Sequence, residues 1–200
     1  MDLENVIEQV GKDKGINRTT LIETLEAAIL TAAKKAYGQE REIEAQYNDD
    51  KGEIELFQII TVNKEEDIDN PYREVSVEEI REAGFDAEPG DELLFQIFYK
   101  DRDKEKAKLQ DKRFGDLLKL DSYNATFGRI AAQTAKQVII QRVREAERDM
   151  IFDEYKDRTG EVITGVVRRF EKGDIIIDLG RADAILPKDE QTTRESYRPG

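Results

Sequence analysis

No cysteine, histidine or tryptophan occurs in the 200 residues. Without cysteine there is no disulfide, no thiolate nucleophile and no zinc–thiolate centre. Without histidine the commonest general base and metal ligand is missing. Prolines number four, and no apolar run approaches the roughly 18 residues of a membrane-spanning helix. Met1 is followed by acidic residues, unlike the start of a signal peptide. Neither G-x-x-x-x-G-K-[ST] nor G-x-G-x-x-G, the loops that cradle phosphates, is present. Carboxylates are plentiful but scattered, with nothing of matched character to hold one as a general acid. These absences predict a non-enzymatic, cytoplasmic protein with no cofactor, no metal and no membrane association.

Negative charge is in excess, and it is uneven. The chain carries −13 in total. Residues 38–99 hold 19 Asp and Glu against 5 Lys and Arg, so that segment carries −14 and the remaining 138 residues sum to +1. Acidity confined to one region does not argue against a nucleic-acid partner elsewhere. It reads either as a solvated face or as an end of the molecule that phosphates avoid.

Periodicity divides the chain into an α+β N-terminal domain over residues 1–126, a long connecting helix over 127–157 and a partial all-β barrel over 158–200. Leu3, Val6, Ile7 and Val10 make the stripe of a first helix, with Gly11 and Gly15 at its exit. Thr20 and Glu23 have capping-box spacing for a second helix, lined by Leu21, Leu25, Ala28, Ile29, Ala32 and Ala36 and stopped by Gly38. "EIEAQY" and "EIELFQIITV" read as strands around the turn "NDDKG". Ser76 and Glu79 cap a short helix, and "PGDELLFQIFY" reads as a third strand. Residues 100–113 hold 7 basic and 4 acidic residues and no apolar stripe, an exposed helix or a loop.

From Phe127 onward Ala132, Ala135, Ile139, Val143, Ala146 and Met150 recur at helical intervals, with Gln137, Gln141, Arg144 and Arg148 opposite. The period then changes to two. "EVITGVVRRF", "DIIIDLG" and "ADAILP" read as three short strands of an OB-type barrel, with Gly165 marking a bulge or sharp coil. Three strands do not close such a barrel, so the chain reads as a fragment cut within its second domain.

Two groups of residues suit nucleic acid. Arg168, Arg169, Phe170 and Lys172 bring cations and an aromatic ring to one strand corner, the combination that tracks phosphates and stacks bases. The other reading of Phe170 is a plug for the barrel end. Lys34 and Lys35, with the basic run that contains Arg102, Lys104 and Lys108, form the second group, expected on one side of the N-terminal domain. Lys34 and Lys35 also complement the dipole at the end of their helix. Asp178 and Asp183 flank a tight turn, where a turn role competes with cation binding.

"FGRIAAQTAKQVIIQRVREAER", followed in order by "GEVITGVV", "IIIDLG" and "LP", resembles the NusA family of bacterial transcription factors. "LIETLEAAILTAAKKAYG" is similar to that family's second helix. The resemblance implies docking on RNA polymerase near the RNA exit channel and contact of the OB portion with nascent single-stranded RNA. Pausing, termination and antitermination would be the processes affected, and the chain would act as a monomer. Residues 100–126 look longer than the family's usual link. A generic OB-fold RNA-binding module of ribosome or mRNA metabolism, and an adaptor using the long helix for protein contacts, remain the alternatives.

Overall fold

The computed structural model describes residues 3–200 and divides into two compact units, Met1–Arg144 and Glu145–Gly200. In the first, helix α1 (Leu3–Lys14) runs through Gly11, and Gly15 turns the chain at φ +65°. Helix α2 (Arg18–Tyr37) starts earlier than the Thr20–Glu23 spacing suggests. Asn17, extended in backbone, accepts from the Thr20 amide at 3.2 Å and is the true cap. The buried residues of α2 are Leu21, Leu25, Ile29 and Ala33. Ala36, expected inside, is exposed, because a stripe that advances in steps of four drifts around the helix.

Strand β1 (Glu42–Asn48) and strand β2 (Glu53–Asn63) form an antiparallel hairpin, with Ile43 opposite Gln58 and Tyr47 opposite Ile54. β2 is central: β3 (Glu74–Ser76) pairs with it in parallel and β4 (Glu92–Gln96) antiparallel. Between them lies α3 (Val77–Glu82), whose capping box forms as read, Ser76 Oγ accepting from the Glu79 amide at 3.2 Å. Alternate residues of a strand share a face. On one face of β2, Ile54 and Leu56 pack with Leu21, Leu25, Ile29 and Phe127, whereas Ile60 and Val62 pack with Val75, Ile80, Phe95 and Leu118. Gln58, fully buried, separates these two clusters.

The basic run becomes a turn of 3-10 helix (Asp101–Asp103) and helix α4 (Lys104–Leu118). Its inner side is mixed: Gln110 donates to Ser122 Oγ at 3.0 Å and accepts from the Tyr99 hydroxyl at 2.7 Å, and further on Phe114 and Leu117 pack against the cluster of Ile60 and Val62, the Phe114 ring centre 5.4 Å from that of Phe95. Ala107 and Leu118 are buried there. Helix α5 (Ala125–Tyr155) is unbroken over 31 residues, about 46 Å at 1.5 Å per residue. Phe127, Ala135 and Ile139 are buried and Ala131 and Val138 partly so. Ala132 and Met150, expected on this stripe, are exposed, because the covered side follows Phe127, Ala131 and Ala135 in steps of four.

In the second unit β5 (Val166–Glu171), β6 (Asp174–Asp178) and β7 (Asp183–Leu186) make an open antiparallel sheet in that order. Barrel closure is not seen among the described residues. The first strand starts at Val166, later than the run from Glu161 suggests. The bulge is not at Gly165, where it was expected, but at Arg168, where the register steps from Val167–Ile177 to Arg169–Ile176. Gly165 has a different role. A Cβ there would collide with Ile177 Cγ2 and lie 2.8 Å from the Asp178 carbonyl oxygen.

Candidate nucleic-acid interface

The β5–β6 corner turns on Lys172 and Gly173, both at positive φ (53° and 103°), as a tight two-residue hairpin requires. The bulge lets Arg168 reach across the sheet: its Nη1 donates to both carboxylate oxygens of Asp183, at 3.0 and 3.1 Å. Arg169 Nε donates to Glu171 at 2.6 Å, and its Nη1 lies 3.7 Å from Asp183. Phe170 is 49% exposed, so in this open sheet half of the ring faces solvent. Lys172 has no ion pair among the described residues. An open aromatic face beside three cations, two of them braced by carboxylates, is chemically suited to stacking a base and tracking a phosphate. Asp178 accepts from the Gly180 amide at 2.7 Å, and Asp183 serves the two arginines, so both acids work within the chain. No group of three or more acidic residues suited to a metal ion occurs among the described residues.

The second candidate group is divided. Arg102 Nη2 donates to the buried Glu53 at 2.7 Å, and Lys100 pairs with the same carboxylate. Asp103 takes Arg102 and Lys106, so this end of the basic run is a staple onto the β1–β2 hairpin. Lys104 sits over the Tyr123 ring, 4.5 Å from its centre, and Lys108 pairs with Glu105 at 2.8 Å. Lys34 and Lys35 are exposed in the last turn of α2. The other end of that helix is tied to the hairpin turn by Arg18 and Asp49, 2.7 Å apart. Sixteen residues of helix separate Arg18 from Lys34, about 24 Å. The structure therefore does not bring Lys34 and Lys35 together with Lys100 and Arg102; they mark opposite ends of the sheet.

Sequence reading passed over Arg129 and Lys136, both exposed on α5 and neither ion-paired among the described residues. Their seven-residue interval, two helical turns on one side, was the available signal. Near them is a cavity of ≈ 710 Å³ whose lining includes Ile54, Leu56, Phe98, Phe127, Lys100 and Arg129.

The family described as the NusA N-terminal domain matches residues 2–109 and 103–149. The chain belongs to the NusA family. The two NusA matches overlap in the first turns of α4, the place where the link looked longer than usual. The chain is 37% identical over 199 residues to the transcription termination/antitermination protein NusA of Rickettsia conorii, covering 100% of this chain and 34% of that protein. It is 33% identical over 201 residues to the NusA of Bacillus subtilis, covering 99% and 46% respectively. The chain thus spans between a third and a half of these NusA relatives. The solution structure of the N-terminal domain of Bacillus subtilis NusA superposes with a TM-score of 0.50 at 32% identity, over 73% of this chain and 96% of that one.

Proposed function

We propose that this chain serves transcription as the N-terminal part of a non-catalytic, cytoplasmic termination/antitermination factor. Its first unit docks on RNA polymerase near the RNA exit channel, and its second unit contacts nascent single-stranded RNA, modulating pausing, termination and antitermination. The names of the NusA relatives support the process. The observation that carries the RNA contact is the half-exposed Phe170 beside Arg168, Arg169 and Lys172. On the first unit Lys104 and Lys108, one helical turn apart on α4, face the emerging RNA. Arg102 flanks them at the hairpin end, acting through its hold on Glu53, whereas Lys34 and Lys35 offer a separate basic patch at the far end of α2.

The test uses the full 200-residue chain as a monomer, without added metal or cofactor. Core RNA polymerase is expected to retain it on an affinity column. A labelled single-stranded RNA is expected to bind weakly, with a shallow dependence of log affinity on log salt, because few phosphates are contacted. RNA binding without polymerase retention favours the generic OB-fold module instead. Tight, salt-insensitive RNA binding contradicts the partial-barrel reading.

A further inference from the structure

Strand β2 is apolar on both of its faces, as "IELFQIITV" shows. A strand of that composition belongs between two layers. Helices cover one side, where Ile54, Leu56, Ile60 and Val62 are buried. The other side is left open. Phe57 and Ile59 point there, and the register places Leu94 of β4 directly beside Ile59. Cross-strand partners share a face, so the three side chains form one patch. Leu94 is 52% exposed, Phe57 and Ile59 are half-buried, and none of the three belongs to either core cluster.

Next to Phe57 on this face Glu55 is already matched by Lys51; the rest of the charged border is acidic. Glu44 stands opposite Phe57, Glu42 opposite Ile59, and Glu92 ends the same face of β4 opposite Thr61. None of these three carboxylates is ion-paired among the described residues. An ordinary solvated sheet face alternates polar residues outward, and an apolar patch with a polar border is the mark of an interaction site. Phosphates are repelled here, so nucleic acid is the wrong occupant.

We infer that the open face of the β1–β2–β4 sheet docks a protein helix whose apolar stripe is flanked by lysine or arginine. The stripe covers Phe57, Ile59 and Leu94, and the flanking cations meet Glu42, Glu44 and Glu92. This surface is independent of the RNA-contacting corner.

The experiment titrates the full chain with two synthetic 18-residue amphipathic helices, one of leucine and lysine and one of leucine and glutamate with the same apolar stripe. Binding is measured by calorimetry and mapped by backbone amide shifts. The leucine–lysine helix is expected to bind and to shift amides of β1, β2 and β4, and the leucine–glutamate helix is not. Leu94→Asp is expected to weaken binding about tenfold or more, as loss of a buried leucine contact implies. Simple attraction between opposite charges predicts the reverse, since this variant makes the chain more negative. The double variant Glu42→Lys/Glu92→Lys, which leaves every core residue in place, is also expected to weaken binding. The inference is overturned if Leu94→Asp binds as well as or better than the parent. It is likewise overturned if the charge reversal has no effect, if both helices bind alike, or if the shifts map elsewhere.

Discussion

Arg41 donates a 2.6 Å hydrogen bond to the carbonyl of Leu118, a residue 77 positions later. The same guanidinium reaches the Lys119 carbonyl at 2.7 Å, the Tyr37 carbonyl at 2.9 Å and Gln58 Oε1 at 3.0 Å. Tyr37 ends α2 and Leu118 ends α4, so one cation closes the negative ends of two helices. Arg41 is only 4% exposed. Burial pulls its pKa below the ordinary arginine value, yet arginine stays charged at any working pH. Replacing it by methionine strands the carbonyls it served in a dry site. Arg41→Met is expected to cost about 3 kcal/mol in urea unfolding. Amide exchange in the last turns of α4 should accelerate with it. Arg41→Lys should recover less than half, because an ammonium lacks the planar fork that spans several acceptors.

Glu55 ties stability to acid. Burial pushes its carboxyl up, but hydrogen bonds from Lys51 at 2.5 Å and Asn48 at 3.0 Å together outweigh this, and the net position is below the ordinary carboxylate value. A carboxyl held low in the folded state binds its proton more readily when unfolded. Its contribution is therefore complete above the unfolded value, about 4.3, and is lost as pH falls through the lower folded value. Glu55→Gln should be less stable than the parent at pH 7, and the two should converge as pH drops below about 4. Thermal melts from pH 7 to pH 3 measure this, and a constant gap across that range contradicts it.

What the sequence made legible was local. Leu21, Leu25 and Ile29 announce a helix because the period of the face is written within nine residues. Ser76 and Glu79 announce its neighbour because both partners of the capping box lie three positions apart. Arg41, between Glu40 and Glu42, reads as one more surface charge, since three of its four partners are 17, 77 and 78 positions away. The first half of helix α4 was equally obscure, because Gln110 with its partners Tyr99 and Ser122 seats it, and apolar packing takes over only from Phe114 onward. At the candidate interface the residue types were readable at Arg168–Lys172. The bulge that turns Arg168 onto Asp183 leaves no mark in the residues around it. Nor did the charge run from Lys100 reveal that a buried Glu53 on a distant strand would claim its first cations.

Gly165 offers a test of the second unit alone. Its backbone passes so near β6 that an added methyl meets the Asp178 carbonyl oxygen at 2.8 Å and the Ile177 side chain more closely still. The carbonyl belongs to a paired strand and yields only if β5 and β6 separate. Gly165→Ala is expected to destabilise this sheet by about 1–3 kcal/mol. Amides of β6 should lose protection while those of β2 keep theirs.

Phe170 separates an RNA contact from a packing role. The side chain is half exposed, so truncation removes little buried area, and Phe170→Ala should lower the melting temperature only slightly. If its open face stacks a base, the same variant weakens binding of a labelled single-stranded RNA by about 1–3 kcal/mol, roughly five- to 150-fold. Phe170→Tyr should keep most of the affinity because it keeps the ring, and Phe170→Leu should lose it while keeping the apolar volume. Salt provides an independent check. Stacking involves no counterion release, so Phe170→Ala should shift the affinity without changing its salt slope, whereas Arg169→Gln should flatten the slope. Equal RNA affinity for Phe170→Leu and the parent would leave the ring with a packing role and remove stacking from the account.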